Sequence, residues 1–135
     1  MKQFILSLIL IFFAVPSLAS DADIKEAKKT AALFIQLMEN NQQEKVYELF
    51  SEAKKDFFKK KKGQAAIYNG KQYDAYCKAQ QCNWTKFKIS NFKLLSPKKA
   101  ECTISGVFEC EDGPFPNTDT LHLVFEDKQW KIDNW

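Results

Sequence analysis

Four runs of alternating apolar and polar residues, 84–95, 100–111, 118–126 and 129–135, leave few ways to fold the C-terminal half of this chain. Alternation with a period of two puts every second side chain on one face of a strand. The separators, Ser96-Pro97-Lys98-Lys99, 112–117 and Asp127-Lys128, all carry turn chemistry. If Glu126 faces Gln129 across a two-residue turn, Phe125 faces Trp130 and Leu123 faces Ile132, because antiparallel partners share a face. If Glu111 faces Thr118, Phe108 faces Leu121 and Ile104 faces Phe125. Two independently placed turns thus give one apolar face, as a sheet roofed by helices requires.

In the first run the apolar parity shifts, with Phe87 and Ile89 odd but Phe92 and Leu94 even. A bulge near Ser90-Asn91 repairs the parity and bends the sheet. Pro114 and Pro116 are expected to keep 112–117 a loop.

The first nineteen residues read as an export signal: Lys2, an apolar run over 4–15, then Pro16-Ser17-Leu18-Ala19 with cleavage expected after Ala19. The run is short for a membrane span and Asp21 and Asp23 follow at once, so no stable membrane anchor is expected. Residues 20–135 then form one domain, periplasmic or secreted. A formal charge of +3 over the whole chain is a weak field, and all 20 basic residues are lysine. Without arginine's bidentate fork, nucleic-acid and nucleotide partners are not expected.

In an exported chain, Cys77, Cys82, Cys102 and Cys110 read as two disulfides. Cys102 and Cys110 lie eight positions apart on one strand, about 26 Å, beyond the reach of a disulfide. The turn at 96–99 brings Thr85 opposite Cys110, which makes Cys82 its nearest candidate and leaves Cys77 for Cys102. A local Cys77–Cys82 loop with both strand cysteines as thiols stays open as the alternative. The spacing does not suit zinc.

Ahead of the sheet, 21–40 reads as an amphipathic helix with Ile24, Ala27, Ala31, Phe34, Ile35 and Met38 on its stripe. Asn41, with Glu44 three residues on, marks the start of a second helix whose buried face is Val46, Leu49 and Phe50. Ser51 starts a third, from Glu52 to about Lys62, with Phe57 and Phe58 inward or lining a cleft. The lysine run 59–62 reads as a solvated helix end that suits the C-terminal dipole. Residues 63–83, interrupted by Gly70, suggest a short helix or an edge strand and then a disulfide-pinned loop.

The order of helices followed by a bent meander resembles the NTF2-like, cystatin-like superfamily, carried by AALFIQLMENNQQEKVYELFS (31–51) and LVFEDKQWKIDNW (123–135). The resemblance implies an α+β fold, a cone-shaped pocket between a concave sheet and the helices, and a sheet face open to homodimerisation. The fold hosts enzymes and binding proteins alike. Tyr47, Phe50, Phe108 and Trp130 are the candidate pocket wall, aromatic and neutral. An enzyme of this fold needs an acid or base aimed inward. His122, the sole histidine, is expected on the outer face opposite Asp133 and beside Val107. Tyr47, Asp56 and Asn134 are the few inward polar candidates, with Asn134 opposite Leu121. No phosphate loop, paired-histidine helix or serine elbow occurs, so no catalytic residue, cofactor or metal is assigned. The leading expectation is a non-enzymatic binding domain, acting preferably on a protein partner through an outer patch of Val107, Val124 and Trp135, or else on a small apolar ligand in the cone. The alternatives are an isomerase-like or dehydratase-like enzyme and a secretion-system or envelope assembly subunit.

Overall fold

A computed structural model describes residues 21–135, with side chains from 23 onward. The expected export signal lies outside these residues. Helix α1 (Asp21–Glu39), α2 (Gln43–Glu48), α3 (Glu52–Lys60) and α4 (Gly70–Ala79) precede strands β1 (Cys82–Ser96), β2 (Lys99–Cys110), β3 (Gly113–Glu126) and β4 (Gln129–Asn134). The strands form an antiparallel meander in the order β1-β2-β3-β4. The fold is therefore α+β, with the helices N-terminal to the sheet and packed on its concave face.

Helix α1 buries Ala27, Ala31, Phe34, Ile35, Leu37 and Met38. That is one continuous stripe at helical spacing. Its end differs from expectation. Asn41 takes a left-handed φ of 57°, and the Asn41 and Gln42 amides donate to Met38 and Leu37 carbonyls at 3.2 and 2.9 Å. This is a Schellman closure, so Asn41 ends α1 and does not cap α2, whose N-cap is Gln42. Ser51 does cap α3, its hydroxyl accepting from the Lys54 amide at 3.1 Å. The segment between 63 and 83 contains helix α4, capped by Asn69 accepting from the Gln72 amide.

On the sheet, Phe87, Ala100, Cys102, Ile104, Leu121, Leu123, Trp130 and Ile132 face the helices and are buried. The β3–β4 hairpin has the expected register, with Phe125 opposite Trp130 and Leu123 opposite Ile132. Asp127 and Lys128 both adopt positive φ, 51° and 65°. A two-residue hairpin turn of this hand demands that geometry. The β2–β3 register is corrected: Cys110 faces Gly113, Phe108 faces Phe115 and Cys102 faces Leu121. Pro114 and Pro116 lie inside β3 after all. β4 pairs only with 122–126, so the first half of β3 is a sheet edge, where a proline's missing N–H is tolerated. The slip is an even number of residues, so the same side chains still face inward.

β1 departs from a straight ladder at three places, between Thr85 and Lys88, Ser90 and Lys93, and Leu94 and Ser96. Lys86 and Asn91 carry the left-handed φ values, 56° and 51°, that such bulges use. Each shift is one residue, so Cys110 faces Cys82 and Thr85 faces Val107. The free amide of Phe87 in the first bulge donates to Glu39 Oε2 at 3.2 Å, tying the end of α1 to the sheet. At the opposite edge, Leu49 to Ser51 lie beside β4. The Ser51 amide donates to the Ile132 carbonyl at 2.9 Å and the Ile132 amide to the Leu49 carbonyl at 2.7 Å, which covers part of that edge.

Candidate functional site

The open end of the concave face lies where β1 starts and β2 ends, and α4 crosses it. Trp84 and Phe108 are directly opposite on β1 and β2, with ring centroids 5.4 Å apart. Phe87 stacks on Trp84 at 4.5 Å. From α1 comes Phe34, 5.7 Å from Trp84, and from the chain's last residue Trp135, whose ring lies 5.0 Å from Phe34. Helix α4 presents Tyr73, Tyr76 and Cys77, spaced three and four apart on one face. A cleft of about 290 Å³ lies between them, with Tyr73, Tyr76, Cys77, Trp84, Phe108 and Trp135 among its walls and Met38 and Gln43 closing one side. A second, polar hollow of about 450 Å³ adjoins it through Gln43, Cys77 and Cys82 and is lined by Asn41, Asp74, Lys78 and Glu111.

The cleft wall is neutral. Burial pushes the Tyr73 hydroxyl far above its ordinary range, and it pushes the Cys77 thiol up to about 11. The two share a side-chain hydrogen bond, the tyrosine donating to sulfur, which offsets part of the burial effect at Cys77. No carboxylate or histidine is in the wall. Behind Trp135 stands Lys54, only 8 % exposed, with its ammonium 4.4 Å from the indole centroid and donating to Asn134 Oδ1 at 3.1 Å. Burial chiefly, and then the Lys61 charge, lower its pKa, while Asp133 opposes them.

The residues singled out in the sequence fall in different places. Phe108 lines the cleft. Tyr47 and Phe50 are buried one layer behind, their rings 6.1 and 5.0 Å from that of Tyr73. Trp130 is at the other end of the sheet, 5.5 Å from Phe125, beside a separate hollow with Thr30 and Leu49. Trp135 is turned into the cleft and so leaves the outer patch, where Val107 and Val124 remain. His122 faces Glu101 and Asn134, not Asp133, because a one-residue shift separates it from Leu123. Its Nδ1 is 3.8 Å from Glu101 Oε2, an exposed cross-strand pair. Asn134 thus stands opposite His122, not Leu121. Asp56 pairs with Lys59 at 3.5 Å on the exposed side of α3.

Cys82 and Cys110 are disulfide-bonded with their Cα atoms 4.2 Å apart. The second bond is corrected: Cys77 and Cys102 are both free. Cys102 is buried in mid-sheet opposite Leu121, while Cys77 stands at the cleft, toward the Cys110 end of β2. About 26 Å of strand separate Cys102 from Cys110. The local Cys77–Cys82 bond is absent too, since Cys82 is engaged by the strand opposite it. Sequence reasoning misses Trp84 and Trp135 as wall residues. The three-four spacing of Tyr73, Tyr76 and Cys77 after the Asn69 cap is the signal that marks α4's share.

Fold and cleft together define a helix-roofed antiparallel sheet with an aromatic cavity at its open end. No family model matches the chain, and no curated protein matches it in sequence. Solved structures do match in fold. A SEC-C motif containing protein from Psychrobacter arcticus superimposes with a TM-score of 0.59 at 14% identity, covering 82% of this chain and 60% of that one. A protein from Catenulispora acidiphila does so with a TM-score of 0.56 at 10% identity, covering 84% and 89%. A structure described as an NTF2-like transpeptidase from Campylobacter jejuni has a TM-score of 0.46 at 12% identity, covering 80% and 97%. At such identities the first two likenesses speak for the fold alone.

Proposed function

We propose that this chain is an exported, NTF2-like binding domain that holds a small, largely apolar ligand in the cleft between α4 and the open end of the sheet. The observation that carries this is the cleft wall itself: five aromatic side chains, Tyr73, Tyr76, Trp84, Phe108 and Trp135, around about 290 Å³, with neutral polar groups at its margin. Rings of this size supply apolar contact at little conformational cost. Proton-transfer chemistry would need an acid or base in the wall, and the titratable wall groups Tyr73 and Cys77 are held protonated at neutral pH. Export is supported by the apolar N-terminal run and by the Cys82–Cys110 disulfide, which persists in oxidising compartments. Among the described residues, no helix is long and apolar enough to cross a membrane.

The test is titration with a neutral fluorescent apolar amine, N-phenyl-1-naphthylamine. Its emission should rise on binding in the micromolar range, and Tyr76→Ala and Phe108→Ala should each weaken binding by about tenfold, the cost of one buried ring contact. Absence of saturable binding, or binding indifferent to both substitutions, refutes the reading.

A further inference from the structure

The cleft is electrically lopsided. On the α4 side Asp74 is neutralised by Lys78 at 2.7 Å. On the α3 side stand two ammonium groups, Lys54 and Lys61, and among the described residues neither has a carboxylate within ion-pair distance. Lys61 is the residue after α3, half-buried, its Nζ held between the rings of Phe57 at 5.7 Å and Tyr76 at 5.8 Å. Tyr76 is a wall residue, so Lys61 stands against one ring of the cleft wall, just outside the lining itself. Lys54 lies against Trp135, a second wall ring. Lys54's amine hydrogen bond is met by Asn134, and Asp133 is occupied by the Ser51 hydroxyl at 2.7 Å. The repulsion between the two lysines is registered at Lys54, whose protonation Lys61 disfavours.

We infer that the ligand is an amphiphilic monoanion, with an aryl or alkyl body in the cleft and a carboxylate just outside its lining on Lys61. This rests on the cleft-binding reading above. An anion there gains from Lys61 directly and relieves the lysine–lysine repulsion, and the half-buried position of Lys61 screens the pair less than open water does. A neutral ligand of the same shape gains only the apolar contact. The lysines at 60 and 62 extend the positive field beyond Lys61 and steer an anion toward it, while Lys59 is paired with Asp56.

The experiment is calorimetric titration of the oxidised full mature chain with 3-phenylpropanoate and its neutral isostere 3-phenylpropanamide. Three proteins are compared: wild type, Lys61→Gln, and Lys60→Gln, which removes the same charge from an exposed neighbour. In wild type the acid should bind about tenfold more tightly than the amide, the worth of one charge-assisted contact. The preference should collapse in Lys61→Gln and survive in Lys60→Gln. Equal binding of acid and amide overturns the inference and leaves the cleft reading standing. Equal loss in both variants also overturns it, replacing a site with a diffuse field. If N-phenyl-1-naphthylamine binds but neither compound displaces it, this inference alone fails. If nothing binds, both fall.

Discussion

Replacing Gly106 by alanine tests the bulge on which the open end of the sheet depends. Gly106 occupies the inward position of β2 opposite Lys86 and Phe87, the two residues that the first bulge of β1 sets against one. A Cβ built there would overlap the Phe87 ring at Cγ and Cδ2 and lie 2.7 Å from the Phe87 Cα. The ring could turn aside; the backbone atom could not. Overpacking a buried site costs roughly 1–3 kcal/mol, and a fixed backbone obstacle places this case near the top, about 3 kcal/mol. Over a domain of this size that lowers the melting temperature by about 12 °C. The loss is read from urea unfolding followed by tryptophan emission under oxidising conditions. Phe87→Ala removes the ring but leaves the backbone obstacle, so the two substitutions should combine with a coupling of about 1–2 kcal/mol, less damaging together than their sum. Because the same bulge sets Cys82 opposite Cys110, titration of unfolded protein should find two free thiols in wild type and a four-thiol fraction in Gly106→Ala. A cost under about 0.5 kcal/mol, or strict additivity with Phe87→Ala, refutes the account.

The other predictions concern the cysteines and the buried lysine. Cys82→Ala/Cys110→Ala should lose about 3.5 kcal/mol, the loop-closure value for a separation of 28 residues, and its melting point should no longer respond to reductant. In native protein, Cys77 should react slowly with a thiol reagent and buried Cys102 not at all, with both released by denaturant; a fast native thiol would contradict the placement. Burial raises both thiols from 9.0 to about 11, so the folded state holds protons that the unfolded chain sheds above pH 9. Stability is therefore intact below pH 9 and falls as pH rises toward 11, by about 2 kcal/mol for Cys102 and less for half-buried Cys77. Thermal melts of Cys77→Ala/Cys102→Val should lose this slope and decline only above pH 10, where Tyr47 and Tyr73, both raised by burial, begin to act with the same sign. Lys54 acts oppositely: its lowered pKa makes folding gain as pH approaches 10.5, and Lys54→Met should remove that gain while costing within about 1 kcal/mol at neutral pH.

The elements legible in the sequence are those whose cause is local. The β3–β4 hairpin follows from two turn residues and an alternating pattern on each side, and α1 from its stripe. The β2–β3 register is misplaced when Pro114 and Pro116 are weighed as strand breakers, whereas whether a proline breaks a strand depends on which edge is free, a non-local fact. The inward face survives because the slip is even. The parity of β1 holds more than a single bulge: Trp84 is even, Phe87 and Ile89 odd, Phe92 and Leu94 even, which marks two bulges where the second alone was expected. Proximity alone suggests Cys82 as the partner of Cys110, and the three register shifts are what bring them opposite. Helix α4 is obscured by Gly70, which reads as an interruption. There a Cβ would come within 3.0 Å of the Glu44 carbonyl oxygen, so glycine is what lets α4 start against α2. Pairing Cys77 with Cys102 follows from assuming that every cysteine of an exported chain is bridged, an assumption about the compartment that says nothing of distance.

Curvature, disulfide and cleft have one origin in β1. A straight ladder running back from the 96–99 turn would set Phe87, not Trp84, against Phe108. Each inserted residue bends the strand further and moves the later partner by one. After three such steps, Trp84 stands across from Phe108 and Cys82 across from Cys110, so the wall pair and the covalent tie arrive together. The disulfide then fixes the two strand ends, two residues from that pair, and α4 enters β1 through Gln81 with a left-handed φ of 55°. Loss of the bond should therefore loosen the cleft before it loosens the rest of the sheet, since the hairpin at Asp127-Lys128 and the α1 stripe do not depend on it. Hydrogen exchange under reductant should show early opening at 82–85 and 107–110, with 121–125 and 130–132 still protected, and ligand affinity should fall while the fold persists. Uniform deprotection across the sheet would mean that the bond holds the whole structure and not its open end.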